Sequence, residues 1–364
     1  MNWISKFQVL KNFLKLIVII LFASITFLSV EFGYRVFKEF NNTFNDIKYV
    51  ALYQSGNNFQ NVNDFVKYYP NTAIRSLALY SQTKSNKTSD ITIEYDYDIF
   101  TNNAGLVMQN DLQNGEEVIY IIGDSYTEGV GASPWFYNME ESYKNTNAKL
   151  VNLAILGTGP MQWSSLEKYI TQKFKLNIKG FVINIIPNDM TRQKWVLSKD
   201  QLKCLRTGVC NYDGGFQGFD FEAGVNMSEV KDLMQAKFIY EDKKLRDYKD
   251  FLKQSHVIVD IYSYLTQYRL LTISRNEQAL LDFKRASQNK IFVNVVSEKS
   301  INSKNFHTNS LAKNLVEFLE DHGFNYRWCD IEPDGFHKLD GHPNEKGYAT
   351  LQKCTQRAIA EMQN

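Results

Sequence analysis

One short apolar run constrains this chain more than any other stretch, because it reads as a buried strand that delivers a hydroxyl group to its end. Val118–Ile122 is rich in β-favouring residues and stops abruptly at Gly123, after which Asp124, Ser125 and Thr127 follow. Ligands of open α/β sheets gather beyond the carboxyl ends of the strands, so we expect Ser125 at the mouth of a crevice. Taken alone, the stretch also fits a helix cap or a phosphate-binding glycine loop.

From this strand onwards, strand patterns alternate with helix patterns, which is typical of βαβ units. The strands are predicted at residues 118–122, 150–156, 180–187 and 291–297, with a weaker one at 325–331. The helices are predicted at residues 162–175, 309–321 and 344–361. A long insertion at about 190–289 breaks the alternation and is predicted to form a lid or one wall of a cleft. The pattern therefore predicts an α/β fold, a three-layer sandwich with a mostly parallel central sheet, over residues 118–364.

The N-terminal segment is the most informative part of the composition. Leu16–Val30 carries no charged residue, and Lys6, Lys11 and Lys15 precede it. This length is short for a membrane-spanning helix and sufficient for a signal-peptide core. Because no small-x-small cleavage site follows the run, we expect residues 1–40 to form an uncleaved transmembrane signal anchor, with the remaining chain on the periplasmic or extracytoplasmic side of the inner membrane. A cleaved signal peptide and a buried helix remain open.

Residues 41–117 differ in composition from the rest, being rich in Asn, Tyr and Ser with few long apolar runs. Ile91–Phe100 alternates as an exposed strand does, and residues 101–106 are typical of a turn. We expect this region to form a stalk and a cap on the main domain.

The overall charge gives no reason to expect a nucleic-acid partner. The chain has 41 Lys and Arg against 40 Asp and Glu, so its net charge of +1 creates no long-range field that would attract a polyanion. No metal-ligand spacing and no cofactor motif stands out, and we expect neither a metal nor a cofactor. The oligomeric state is open.

Four cysteines are consistent with an exported protein that contains disulfides. Cys204 and Cys210 bracket a short loop that one disulfide could close, which leaves Cys329 and Cys354 as the second pair. Four cysteines allow three pairings, and buried free thiols are an alternative.

Polar or small residues also follow the next two predicted strands and open the last helix. Gly157 follows the second strand, Asn188 lies in Pro-Asn-Asp after the third, and His342 begins His-Pro-Asn-Glu-Lys-Gly. Together with Gly-Asp-Ser-Tyr-Thr-Glu-Gly around Ser125, these four blocks resemble the SGNH (GDSL-type) hydrolase family, which is named for Ser, Gly, Asn and His in successive blocks. The resemblance covers roughly residues 118–360 and implies a flavodoxin-like sandwich. More weakly, Glu-Phe-Gly-Tyr-Arg after the anchor resembles the membrane-anchored branch of the family.

The chemistry explains why these residue types are needed. A serine hydroxyl is a weak nucleophile until a base takes its proton, so Ser125 requires an imidazole, and His342 is the candidate. The imidazolium needs a carboxylate, and Asp340 would project to the same side as His342 in an extended loop. The resemblance implies that the backbone N–H groups of Ser125 and Gly157 and the side-chain amide of Asn188 stabilise the oxyanion.

The chain departs from the family at two positions. The family usually has Asp three residues before the catalytic His, whereas Asp340 is closer to His342; Asp334 and His337 have the usual spacing and form a competing pair. We favour His342 because the residues after it match the family block and start the last helix. The second departure is Pro187, where Gly usually precedes the Asn, and it would alter the backbone beside the oxyanion site.

The resemblance implies a serine esterase that forms an acyl-serine intermediate. Its substrate would be an ester-bearing small molecule, glycan or lipid of the cell envelope, since the expected anchor places the site outside the membrane. An O-acyltransferase that moves acetyl to a polysaccharide would use the same residues and is an alternative. A catalytically silent glycan-binding assembly protein that keeps the fold is a second alternative, which the two departures support.

Overall fold

The structure is a computed structural model, and it describes part of the chain. The described residues are 47–54, 59–82, 91–144, 146–196, 268–298, 310–338 and 341–363, with the single positions Lys15, Phe22, Thr26, Phe27 and Ser29. Asp340, Cys204 and Cys210 lie outside them, as do nearly all of the expected anchor and most of the insertion at 190–289. Within the described ranges, no helix has the length and apolarity needed to cross a bilayer.

Ten strands and six helices are used below, numbered in chain order within the described part. The strands are β1 (Ile47–Gln54), β2 (Phe59–Val62), β3 (Phe65–Tyr68), β4 (Ala73–Gln82), β5 (Ile91–Phe100), β6 (Glu117–Gly123), β7 (Lys149–Asn152), β8 (Asn177–Ile185), β9 (Ile291–Glu298) and β10 (Asn325–Ile331). The helices are α1 (Ser125–Glu128), α2 (Phe136–Ser142), α3 (Pro160–Phe174), α4 (Tyr268–Ala286), α5 (Ser310–Asp321) and α6 (Glu345–Gln363). Except for the first two residues of β1, all belong to one compact unit, Tyr49–Leu233 with Tyr268–Asn364.

The central sheet has the strand order β10–β9–β8–β6–β7, and every neighbouring pair is parallel. Its middle strands are apolar and buried, as expected for a parallel sheet covered on both faces. Helix α6 packs against β8, β9 and β10, and α3 packs against β6. The predicted parallel α/β sheet is therefore confirmed.

Counted along the chain, the five strands of this sheet lie in the order 2-1-3-4-5, which is the doubly wound, flavodoxin-like order. The order reverses between β6 and β8, and a crevice forms at such a switch point beyond the carboxyl ends of the strands. The topology thus defines the place where a ligand would bind.

Strand β7 ends earlier than its apolar run predicts, at Asn152 instead of residue 156. The Asn152 side chain accepts a hydrogen bond from the Ala154 amide (3.0 Å) and donates one to the Val107 carbonyl (3.0 Å). Such an Asx turn replaces the strand ladder with a local hydrogen bond and ends the strand. The residues that follow are released into a loop at the carboxyl edge of the sheet.

The region before the sheet contains more strands than its composition predicts. The predicted strand β5 is present and pairs antiparallel with β4, while β2 and β3 form a hairpin. Phe65, Val66 and Tyr68 of this hairpin are buried in the same apolar core as the central sheet. The predicted turn after β5 is also present, and Gly105 has a φ of 73° there, where a side chain would collide with the Tyr68 carbonyl.

A disulfide joins Cys329 of β10 to Cys354 of α6. It is the second of the two predicted pairs, and Cys329 is completely buried. The bond ties the last helix, which follows the His342 loop, to the edge strand of the sheet.

Candidate active site

The turn between β6 and α1 holds Ser125 at the carboxyl edge of the sheet. A side chain at Gly123 would place its Cβ 2.0 Å from Thr127 Oγ1 and 2.6 Å from the Asn184 carbonyl oxygen, so only glycine fits there. Asp124 then caps α1, because its Oδ1 accepts a hydrogen bond from the Tyr126 amide (3.0 Å). Ser125 is the first residue of this helix and is 6% exposed.

His342 lies directly beside this serine. Its Nε2 is 3.0 Å from Ser125 Oγ. The loop that carries His342 is held by Tyr126, whose hydroxyl donates to the Gly341 carbonyl (3.0 Å) and whose ring packs edge-on against the imidazole at 5.7 Å. The structure therefore brings together a hydroxyl and an imidazole that are 217 positions apart in sequence.

The competing histidine has a different partner. His337 Nε2 lies 2.6 Å from the carbonyl oxygen of Gly131, and its ring packs against Tyr95 at 5.3 Å. The carboxylate of Asp334 forms an exposed ion pair with Lys346. In the described part of the chain, neither side chain of this pair is hydrogen-bonded to Ser125. Asp340, the carboxylate expected for His342, lies outside the described residues.

Gly157 and Asn188 occupy the next two loops along the carboxyl edge. Gly157 is exposed, with a φ of 68°, and a Cβ added to it would meet no atom within 4 Å, so a reacting group can approach its backbone. Asn188 is exposed in the 3-10 turn Pro187–Thr191, whose first position is Pro187. Proline is favoured at the first position of a helical turn, which accounts for Pro187 at this place.

An arginine beside the serine was missed in the sequence analysis. Arg192 Nη1 lies 3.0 Å from Asp124 Oδ2 and 3.1 Å from Asp189 Oδ1, and both carboxyl groups are fully buried. The Asp189 contact is a close N–O approach without hydrogen-bond geometry. Burial and the nearby charge of Asp124 raise the pKa of Asp189 well above its usual range. The available signal was the spacing of Asp189 and Arg192, three residues apart.

A buried glutamate was also missed, although it belongs to the Gly-Asp-Ser-Tyr-Thr-Glu-Gly block. Glu128 is 1% exposed, and its Oε1 accepts a hydrogen bond from the Tyr68 hydroxyl (2.8 Å). Its Oε2 accepts one from the Leu156 amide (2.5 Å), immediately before Gly157. Glu128 thus links helix α1 both to the β2–β3 hairpin and to the Gly157 loop.

In the described ranges, no group of three or more His, Cys, Asp and Glu side chains is placed to hold an ion. What these ranges do contain is a hydroxyl against an imidazole, two loops with accessible N–H donors and a charged cluster behind them. Such an arrangement can carry out nucleophilic acyl transfer.

No protein-family model and no curated protein matches this chain. Similar solved structures include a GDSL-like lipase from Bacteroides thetaiotaomicron, which is 13% identical, covers 68% of this chain and 88% of its own, and has a TM-score of 0.32. An acetyl xylan esterase from Geobacillus stearothermophilus is 14% identical, covers 68% of this chain and 96% of its own, and has a TM-score of 0.33. A family two carbohydrate esterase from Clostridium thermocellum is 10% identical, covers 87% of this chain and 98% of its own, and has a TM-score of 0.32. Because these TM-scores are low, the fold rests on the strand order and the site on the distances above.

Proposed function

We propose that this protein is a serine esterase that works through an acyl-Ser125 intermediate. The observation that carries the proposal is the 3.0 Å distance between Ser125 Oγ and His342 Nε2 at the switch point of the sheet. This distance is within the range over which a general base takes a proton from a hydroxyl group.

In the proposed reaction, the Ser125 O–H bond breaks as its proton moves to His342 Nε2, and Oγ forms a bond to the ester carbonyl carbon. The carbonyl π electrons move to oxygen, and N–H donors of Ser125, Gly157 and Asn188 stabilise the resulting oxyanion. Collapse of the intermediate expels the alcohol, which leaves with the proton held by His342. Water then repeats these steps on the acyl-serine, giving a carboxylic acid and free Ser125.

The carboxylate proposed to orient the imidazole is Asp340, on the basis of its place two residues before His342. It would accept a hydrogen bond from Nδ1 and stabilise the imidazolium. Asp124, whose Oδ2 lies 3.3 Å from Ser125 Oγ, already accepts hydrogen bonds from the Tyr126 amide and from Arg192.

The substrate we propose is an ester on a glycan, a glycolipid or a lipid outside the cytoplasmic membrane. The Cys329–Cys354 disulfide supports an oxidising compartment, and the uncharged run Leu16–Val30 supports a membrane anchor at the N-terminus. If the full-length chain is anchored in this way, alkaline carbonate will not extract it from membranes, whereas a chain lacking residues 1–40 will be soluble; extraction of the full-length chain would refute the anchor.

The reaction is tested with p-nitrophenyl acetate, a short-chain aryl ester. We expect wild-type protein to hydrolyse it, and Ser125→Ala and His342→Ala each to lower kcat by about 10³-fold or more, because nucleophile and base act as one unit. His337→Ala is the matched control, since His337 contacts the Gly131 carbonyl and should leave most of the activity.

Two results would overturn this assignment: a wild-type protein without esterase activity, or a loss of activity in His337→Ala but not in His342→Ala. Addition of an oligosaccharide acceptor to the same assay distinguishes acetyl release from acetyl transfer.

A further inference from the structure

The side chain of Arg192 contacts three separate loops at the carboxyl edge of the sheet. Its Nη1 lies 3.0 Å from Asp124 Oδ2, 3.1 Å from Asp189 Oδ1 and 3.3 Å from the Thr158 carbonyl oxygen. These contacts belong to the turns that follow β6, β8 and β7 respectively. The two carboxyl groups are fully buried, and a quarter of the Arg192 side chain is exposed.

Each of these three partners is adjacent in sequence to a residue of the proposed site. Asp124 precedes Ser125, Thr158 follows Gly157, and Asp189 follows Asn188. A single guanidinium group therefore connects the turn of the nucleophile with both loops that supply oxyanion donors. The contacts with Asp124 and Thr158 are charge-assisted hydrogen bonds, which are stronger than neutral ones, so they hold these two loops against the loop that carries Arg192.

Arg192 also bears on where the hydroxyl proton of Ser125 points. Ser125 Oγ lies 3.0 Å from His342 Nε2 and 3.3 Å from Asp124 Oδ2, and a hydroxyl group has only one proton to donate. A proton directed to the carboxylate leaves His342 without the hydrogen bond that general-base catalysis needs. Arg192 donates to the same Oδ2, which occupies a lone pair and offsets the charge of that oxygen.

We propose that Arg192 is a positioning residue of this active site, which aligns the three loops and directs the hydroxyl proton of Ser125 away from Asp124 and towards His342. The inference rests on the proposed function and adds to it a residue outside the four blocks of the sequence resemblance. Arg192 touches neither the nucleophile nor the base, and acts through Asp124.

The test compares Arg192→Met, Arg192→Lys and Arg75→Met with p-nitrophenyl acetate as substrate. Arg75 is a matched control, because it forms an ion pair with Asp96 and its side chain is 21% exposed against 25% for Arg192. We expect Arg192→Met to lower kcat by about 10²-fold with KM within about two-fold, as for other losses of a preorganised polar group. Arg192→Lys should recover about ten-fold of this loss because it restores the positive charge, and Arg75→Met should keep wild-type kcat.

A double variant separates the proton-directing role from loss of structure. In Arg192→Met combined with Asp124→Asn, the competing carboxylate is gone, so the double variant should be more active than Arg192→Met alone. A folded Arg192→Met protein with wild-type kcat would overturn the proposal, and so would a double variant no more active than the single one. If Arg192→Met does not fold, the comparison of Arg192→Lys with Arg192→Lys plus Asp124→Asn decides in the same way.

Different experimental results would overturn the proposed function and the proposed role of Arg192. A wild-type protein without activity overturns both. An active wild-type protein whose Arg192 variants are equally active overturns only the role of Arg192.

Discussion

At the scale of single residues, the candidate site depends on the charges of the three ionisable groups next to Ser125, which are Arg192, Asp124 and Asp189. One guanidinium group faces two buried carboxyl groups, Asp124 and Asp189. A second uncompensated negative charge in this environment would be costly, and burial raises the pKa of Asp189 well above its usual range. Both effects favour the protonated form of Asp189, in which the single charge of Asp124 faces the single charge of Arg192.

This protonation predicts a pH dependence of stability that Asp189→Asn removes. An unfolded Asp titrates with a pKa near 3.8, whereas folded Asp189 stays protonated at higher pH. Above pH 3.8 the unfolded state therefore binds fewer protons than the folded state, and this group makes the protein less stable as pH rises towards the folded pKa. A tenfold difference between the acid dissociation constants of the folded and unfolded states corresponds to about 1.4 kcal/mol.

The measurement is the free energy of unfolding in urea between about pH 4 and pH 7. The wild-type value minus the Asp189→Asn value should fall by about 1 kcal/mol or more as pH rises across this window. Asp282→Asn is the control. Burial opposes ionisation of Asp282, but hydrogen bonds from Gln278, Arg285 and Lys168 outweigh this effect and lower its pKa. Its difference should therefore rise slightly just above pH 4 and then level off, and it should not fall. A pH-independent difference for Asp189→Asn would show that Asp189 is ionised.

At the scale of elements, Glu128 connects the nucleophile helix α1 to the loop before Gly157. Its two carboxylate oxygens accept from the buried Tyr68 hydroxyl and from the partly buried Leu156 amide. Removing the carboxylate takes one acceptor from each of these donors and frees the Gly157 loop to move. The loop should then present its N–H donor poorly to an oxyanion.

We therefore expect Glu128→Ala to lose both stability and activity, whereas Glu140→Ala loses stability alone. Glu140 is a matched buried glutamate that accepts from the Gln109 and Asn110 amides, and none of its hydrogen bonds in the described residues reaches the loops of Ser125, Gly157 or Asn188. For each variant, the free energy of unfolding should fall by about 1–3 kcal/mol for every buried donor that loses the carboxylate as its acceptor. Only Glu128→Ala should also lower kcat for p-nitrophenyl acetate, by about ten-fold or more. If Glu128→Ala and Glu140→Ala were equally destabilised and had the same kcat, the role of Glu128 in holding the Gly157 loop would be contradicted.

The sequence predicted the elements of the central sheet well, because each strand is a short apolar run with clear boundaries. The pattern predicted a strand at 325–331, and β10 occupies Asn325–Ile331. It predicted β7 too long, since the hydrogen bonds of Asn152 end the strand inside an apolar run. It missed β2 and β3, which are too short and too mixed in composition to show a period of two.

Candidate site residues could be predicted only where their residue types form a recognisable sequence motif. Ser125, Gly157, Asn188 and His342 stand at predicted strand ends or at the start of a helix, so their residue types were informative. The contacts of Arg192 could not be predicted, because its pairing with Asp124, 68 positions away in sequence, depends on the loops after β6 and β8 meeting at the carboxyl edge of the sheet. Long-range ion pairs of this kind have no signature in local sequence.

At the scale of the whole molecule, the fold explains why residues so far apart in sequence share one site. Parallel strands place all their carboxyl ends at one edge, and the order 2-1-3-4-5 opens a crevice between β6 and β8. Helix α6 is tied to β10 by the Cys329–Cys354 disulfide, and the His342 loop immediately precedes this helix. We therefore propose that Ser125 is the nucleophile of this crevice.

The most direct test of this claim is labelling with a fluorophosphonate, which reacts with activated serines, followed by peptide mass spectrometry. We predict one phosphonyl group per chain, on the peptide that contains Ser125, with labelling slowed by about 10³-fold or more in His342→Ala. Ser125→Ala should not be labelled. An adduct on another residue, or a wild-type chain that stays unlabelled while its disulfide and fold are intact, would contradict the claim.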